Sequence, residues 1–243
     1  MTTEKKISGR REVLEALKSG IPVERVVIRL GSRGEIIGRI IAEVKARKIR
    51  LDRLPLELFD RQFRSGDSGG VAAFVGEVGT VEMEDFLQKA EERLESPFIV
   101  LLDGIEDPHN LGAIARSAEG AGCHGLVIPQ RRIAPLSEAA VKASSGALLH
   151  LPVARVSNIS EAIRYLKKEK IWIFGADMKG ENYREVEYPA ALALIIGAEG
   201  RGLSKNVRGL CDRLISIPLR GKIESLNASV SAGIILFEIA SHR

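Results

Sequence analysis

The chain has 243 residues, 45% of them hydrophobic and 28% charged, which describes a globular protein of one large or two modest domains and excludes a disordered or fibrous chain. Its start, Met1-Thr-Thr-Glu-Lys-Lys-Ile7, has no signal-peptide core, and no apolar run nears the ~18 residues of a membrane helix, so a cytoplasmic protein with no membrane partner is expected. The net charge of +4 is uneven: residues 1–80 carry 16 Lys and Arg against 11 Asp and Glu, residues 81–243 carry 20 against 21, and the front is therefore the part suited to a polyanion such as nucleic acid.

Residues 8–17 have apolar positions at helical spacing and read as an amphipathic helix, closed by Gly20-Ile-Pro22. An apolar-rich strand is expected at 23–30, a helix at 35–47 with Ile36, Ile37, Ile40, Ile41 and Val44 on one side, a short strand at 49–54 and a further helix at 55–63. A turn-rich break at 64–70 leads into a strand at 71–78, which completes a compact α/β unit of roughly 80 residues. The break contains Gly66-Asp67-Ser68-Gly69-Gly70, a string that also surrounds the nucleophile of trypsin-like proteases. No histidine precedes it and the neighbouring helices contradict a β-barrel, so a loop explains it.

Residues 82–95 are polar, with Phe86, Leu87, Ala90 and Leu94 at helical spacing, as in a linker helix that docks through one face. From Phe98 onward short apolar strands alternate with helices. Strands are expected at 98–102, 125–128, 153–156, 171–175, 192–196 and 214–217, and helices at 111–122, 136–144, 159–168, after Leu203, and at 227–240. Nearly continuous apolar strands separated by helices imply a parallel sheet covered on both faces. The two cysteines, Cys123 and Cys211, form no motif and read as small buried hydrophobes, and the four histidines, His109, His124, His150 and His242, show no metal-ligand spacing, so no metal is expected. One Trp, three Tyr and seven Phe disfavour recognition built on stacked bases.

Sites in such sheets lie at the carboxyl ends of strands, and three loops there carry polar residues. The first, 103–122, holds Asn110, an N-cap candidate for a helix whose inward face is Leu111, Ile114, Ala115 and Ala118, and Arg116, which lies off that stripe and can lean back over the helix start. The second, 197–204, sets Glu199 among Gly197, Gly200 and Gly202. This spacing is G-x-x-G-x-G rather than the dinucleotide G-x-G-x-x-G, and no P-loop lysine follows, so neither a nicotinamide nor a nucleoside-triphosphate site is supported. The third follows Pro218 and brings Ser225 and Asn227, the latter an N-cap for the last helix. Converging loops would gather Asn110, Arg116, Glu199, Ser225 and Asn227 round one cavity.

Taken together, Asn110 with Arg116 six residues on, Gly197-Ala-Glu199-Gly200-x-Gly202, and Ile217-Pro218 followed by Ser225-Leu226-Asn227-Ala-Ser229 resemble the three ordered motifs of the SpoU (TrmH-like) RNA 2′-O-ribose methyltransferases. Ile7-Ser8-Gly9-Arg10 and Val13-Leu14-Glu15-Ala16-Leu17 resemble the start of the L30-like substrate-binding domain of RlmB-type ribosomal-RNA guanosine 2′-O-methyltransferases. Residues 141–156, with Gly146 and Pro152, and Ile171-Trp-Ile-Phe-Gly175 are similar to the same type. One stretch departs from it: RlmB-like chains commonly have His-Gln-Gly before the last strand of the front domain, where this chain has Ser68-Gly69-Gly70.

The resemblance implies an α/β protein with an L30-like RNA-binding domain at 1–80, a linker helix at 81–97 and, at 98–243, a parallel-sheet domain with a deep trefoil knot. The residue pattern alone implies a simple doubly wound sheet, because knots are so rare. The resemblance further implies a homodimer that uses S-adenosyl-L-methionine to methylate the 2′-hydroxyl of a guanosine in large-subunit (23S) ribosomal RNA. The alternatives are the same reaction on transfer RNA or another ribosomal nucleotide, and an inert RNA-binding assembly factor, against which the intact motif residues argue. By the same resemblance Arg116 lies nearest the reacting hydroxyl. Guanidinium groups seldom release a proton, so an electrostatic clamp on the substrate phosphate and the developing alkoxide is a physically easier role for it than base. Asn110 would hold the arginine and the ribose edge, Glu199 would orient Asn110 or Arg116, Ser225 and Asn227 would complete the pocket, and Gly197, Ile217 and Leu226 would offer main-chain contacts to the cofactor.

Overall fold

The computed structural model describes residues 5–19, 21–63, 68–76 and 79–243. Residues 1–4, Gly20, the 64–67 part of the break with Gly66 and Asp67, and the 77–78 end of the expected strand lie outside the described residues.

The front unit runs β1 (Lys5–Ser8), α1 (Arg10–Lys18), β2 (Val23–Arg29), α2 (Glu35–Ala46), β3 (Arg50–Leu54), α3 (Leu56–Phe63) and β4 (Val71–Val75). Its sheet has the order β1-β4-β2-β3, with β4 antiparallel to both neighbours and β2 parallel to β3. All five residues of β4 are buried because successive side chains serve opposite layers. Val71, Ala73 and Val75 join Val13, Leu17, Ile37 and Ile40 of α1 and α2, while Ala72 and Phe74 meet Phe59 and Phe63 of α3. Strand β1 was not expected: four residues are too few to show alternation, and Ser8, read as a helix start, is instead its last residue.

The rear unit begins with α4 (Glu84–Glu92), shorter than the expected 82–95, which buries Phe86 over Gly125 and Ala90 beside it. There follow β5 (Phe98–Asp103), α5 (Pro108–Gly120), β6 (Gly125–Pro129), α6 (Glu138–Ala143), β7 (Val153–Val156), α7 (Ile159–Lys168), β8 (Trp172–Asn182), β9 (Leu192–Gly197), α8 (Lys205–Arg208), β10 (Arg213–Ser216) and α9 (Ala228–Ser241). The sheet order is β10-β8-β9-β5-β6-β7 and every pairing is parallel. Val100 and Leu102 of β5 face a layer with α5 and α9, and Ile99 and Leu101 face one with α4 and α7, which is why these strands read as unbroken apolar runs. Buried His124 ties the start of this sheet to the linker: Nδ1 accepts the Phe98 N–H at 3.0 Å and Nε2 lies 3.0 Å from Glu95 Oε2.

The end of the sheet departs from simple winding. From β7 the chain crosses to β8 on the far side, inserts β9 between β8 and β5, and passes out again to β10 at the edge. Strand β8, expected to stop at 175, runs on to Asn182. Its pairing with β10 jumps from Leu214↔Gly175 to Ile215↔Glu181, so residues 176–180 leave the ladder as an excursion. Gly180 lets the β10 backbone return, since a Cβ there would lie 2.4 Å from Ile215 N. The chain after β10 then crosses back over these strand ends to reach α9, which packs on α5 with Gly233 against Ser117.

Candidate active site

Three loops meet at the carboxyl ends of β5, β9 and β10. The first opens α5, but its N-cap is Asp107 rather than Asn110: the Asp107 carboxylate accepts the N–H groups of His109 at 3.1 Å and Asn110 at 3.3 Å, and Pro108 occupies the first helical position. Asp-Pro is the stronger helix-start signal in the sequence. With the cap supplied elsewhere, the Asn110 amide is free to project from the first turn. It is 8% exposed, donates through Nδ2 to Glu199 Oε2 at 3.2 Å, and accepts from Asn227 Nδ2 at 2.9 Å. Asn227 Nδ2 also reaches Glu199 Oε1 at 3.5 Å. As expected, Asn227 caps α9: its Oδ1 accepts from Ser229 N at 2.9 Å, Val230 N at 3.3 Å and Ser229 Oγ at 2.6 Å. Glu199, Asn110 and Asn227 therefore form one closed set of hydrogen bonds, and their amide dipoles are fixed by the carboxylate.

Beside this set lies a cavity of about 420 Å³, within the range of small-ligand sites, lined by Gly197, Glu199, Ile217, Ser225 and Leu226 together with Met178 from the β8 excursion. Gly197 is required by close approach: a Cβ would lie 2.2 Å from Gly202 C, because the loop folds back on itself through Ala198–Gly202 hydrogen bonds of 3.1 and 2.7 Å. Asp103 Oδ2 accepts the Ser204 N–H at 2.8 Å and Asp177 pairs with Arg208 at 2.8 Å, which holds the loop and the excursion. Apolar walls from Ile217, Leu226 and Ile235, with backbone edges left open by glycines, suit a flat aromatic ring recognised through main-chain groups.

Arg116 does not join this set. Six residues along a helix amount to about 9 Å and one and two-thirds turns, so it cannot share a face with Asn110. Its Nη1 donates to Ser145 Oγ at 3.0 Å, and it lines a second cavity of about 550 Å³ that does not include Glu199 or Asn227. Neither Asn110 nor Glu199 holds it, contrary to the expectation of one cavity. Ser145 was missed by sequence reasoning; it sits in a left-handed conformation, φ 51°, unfavourable for a non-glycine residue, next to Gly146 at φ 90°, which takes its own conformation without strain. In the front unit Ser68 is 1% exposed, Arg10 Nε donates to Gly69 O at 2.7 Å, and Ser32 Oγ to Gly70 O at 3.3 Å, so the Ser68-Gly69-Gly70 stretch forms a turn clasped by the start of α1 and the β2–α2 loop rather than a nucleophile site.

Cys123 and Cys211 are unpaired. Burial raises the Cys123 thiol pKa well above its usual range and that of Cys211 to about 12, so both stay protonated and unreactive at neutral pH. Among the described residues no group of three or more His, Cys, Asp or Glu could hold a metal ion, and no helix is long and apolar enough to cross a membrane.

The SpoU rRNA Methylase family model matches residues 97–237, and that for RNA 2′-O ribose methyltransferase substrate binding matches residues 6–80. The chain is 38% identical over 238 residues to a Bacillus subtilis (strain 168) protein named as the TrmH family tRNA/rRNA methyltransferase YacO, covering 98% of this chain and 95% of that one. A Staphylococcus aureus (strain MSSA476) protein of the same family name is 37% identical, with 98% and 96% covered. Among solved structures, the SpoU methyltransferase AviRb of Streptomyces viridochromogenes in complex with AdoMet superposes with a TM-score of 0.81 at 26% identity, over 97% of this chain and 89% of that one. An AdoMet-bound rRNA methyltransferase of Sinorhizobium meliloti gives a TM-score of 0.81 at 25% identity, over 98% and 87%.

Proposed function

The chain belongs to the SpoU methylase family of S-adenosylmethionine-dependent RNA methyltransferases, and from that premise we propose that it methylates the ribose 2′-hydroxyl of a guanosine in 23S ribosomal RNA in the cytoplasm. The observation that carries the reading is the hydrogen-bonded set of Asn110, Glu199 and Asn227, which meets the glycine-lined cavity through Glu199. Residues 98–243 do the chemistry, residues 1–80 bind the RNA, and 81–97 link them. The basic front unit favours a large folded RNA, because phosphate contacts raise affinity for long backbones.

The backbone of Gly197, Ile217 and Leu226 would hold the adenosine part of S-adenosylmethionine, whose chemistry is an electrophilic methyl group. Glu199 keeps the amides of Asn110 and Asn227 oriented, so that these and the exposed Ser225 hydroxyl fix the ribose edge without reorganising during the reaction. Arg116 would stabilise the developing alkoxide, and a second copy of the chain supplies it. Helix α9 is apolar nearly all round: Ala232, Ile235 and Ile239 are buried, yet Val230, Ile234 and Phe237 remain exposed on the outer side, beside the outward face of α5 that carries Arg116. Such a stripe suits an isologous dimer.

The test of the reaction is incubation of the protein and labelled S-adenosylmethionine with 23S ribosomal RNA and with transfer RNA, followed by mass-spectrometric mapping. 2′-O-methylguanosine in the ribosomal RNA is expected; label confined to transfer RNA, or absent from both, overturns the assignment. The shared site is tested by mixing inactive Arg116→Ala and Glu199→Ala proteins after dissociation. Mixed dimers regain activity if the arginine acts across the interface and stay inactive if it acts within its own copy.

A further inference from the structure

The cavity that Arg116 lines has a composition of its own. It lies at the far end of α5 from Asn110, where the last turn of that helix, the turn before β7, α4 and α1 of the front unit come together. Lys89 from the last turn of α4 and Arg93, the residue that caps its C-terminus, enter it four residues apart and meet Arg116 from α5. The other titratable groups facing it are Glu15, Glu119, Cys123 and His150. Glu15 is already engaged by Lys18 at 3.3 Å and by His150 at 3.1 Å, and among the described residues Arg116 is held by the neutral Ser145 hydroxyl alone. Among the described residues neither Lys89 nor Arg93 has an ion pair, and Glu119 is the carboxylate whose charge acts on Lys89. Burial and the neighbouring Arg93 both lower the Lys89 pKa, against a smaller opposing pull from Glu119, so the cations are gathered at a cost that an incoming anion would relieve.

We propose that this cavity binds a phosphodiester of the substrate RNA through Lys89 and Arg93, flanking the nucleotide whose ribose Arg116 meets. The inference rests on the RNA methyltransferase reading and adds a contact to it. A phosphate is the fitting anion because guanidinium forks match its oxygens in pairs, and because the cavity opens where the basic front unit joins the rear one, so a strand laid over residues 1–80 can continue into it. The volume, about 550 Å³, admits a nucleotide with its phosphate.

Each phosphate contact contributes about 0.7 to 0.9 to the slope of log affinity against log salt. In the full chain, Lys89→Gln with Arg93→Gln should therefore lower that slope for a 23S ribosomal RNA transcript by about 1.4 to 1.8 and raise the RNA KM roughly tenfold, with kcat and S-adenosylmethionine affinity unchanged. Lys89→Arg with Arg93→Lys, which keeps both charges, should restore the slope. Lys89 is half-buried and Arg93 exposed on a helix surface, so both pairs should fold, as thermal unfolding will register. An unchanged slope and KM in a protein that still methylates the transcript overturns the phosphate site alone. A wild-type protein that neither binds nor methylates the transcript overturns the methyltransferase reading with it.

Discussion

Asn227→Ala separates what one side chain does for the fold from what it does for the site. Asn227 Oδ1 caps α9, and loss of such a cap costs about 1 kcal/mol. Its Nδ2 is a donor to Asn110 Oδ1, and a largely buried acceptor left without a partner costs about another 1 kcal/mol, the low end because Asn110 is still 8% exposed. The sum, about 2 kcal/mol, corresponds to a fall in Tm of about 4 to 8 °C for a chain of this size. Asn227→Ser keeps a capping oxygen but no amide, so it should recover about half of that loss. Methyl transfer should fall about 100-fold in both, because neither can orient Asn110 against Glu199. The assay pairs thermal unfolding with single-turnover methyl transfer at saturating cofactor. An alanine variant that unfolds within about 1 °C of wild type, or a serine variant that recovers rate along with stability, would refute the reasoning.

Gly197→Ala should weaken S-adenosylmethionine binding at least about tenfold in calorimetry, because the added methyl, 2.2 Å from Gly202 C, must push the 198–202 loop aside at an overpacking cost of about 1 to 3 kcal/mol; wild-type affinity would show the loop is not a wall of the site. Burial holds the pKa of folded His124 below its ordinary 6.5, with hydrogen-bonded Glu95 only partly offsetting it. The unfolded chain therefore takes up the proton first, so His124 contributes stability that is present above pH 6.5 and lost as pH falls below it. Tm between pH 7.5 and 5 should fall more steeply in wild type than in His124→Gln, and equal slopes would rule that out. Phe237→Glu should abolish self-association in light scattering, as a carboxylate cannot be buried in the α9 stripe, and methyl transfer should disappear with it; a persistent dimer places the interface elsewhere.

The parallel sheet was legible because both faces of β5, β6 and β9 are buried, which leaves unbroken apolar runs, and α9 was legible from Asn227 as its cap. What failed depended on distance in space. The continuation of β8 through 176–182 is polar because it lines a cavity and meets an edge strand, so it has no strand periodicity to read. Asn110 was misplaced as a cap because its type suits that role, although Asp107-Pro108 does so better. The meeting of Asn110, Glu199 and Asn227 followed from three loops at one sheet edge, whereas Arg116 could be excluded from them by helical geometry alone.

The side chain that begins α9 is also a member of the hydrogen-bonded set, and residues 217–226 just before it close the cavity. During synthesis every strand of both sheets emerges before these groups do. If the front unit binds RNA as proposed, a growing chain that has already assembled it and most of its core should touch RNA while still incapable of transferring a methyl group. On the proposed reading, transfer then needs the segment from Ile217 onward to leave the ribosome, dock and meet a second copy, so internal truncations that spare the sheets but remove that segment should bind RNA without transferring methyl groups.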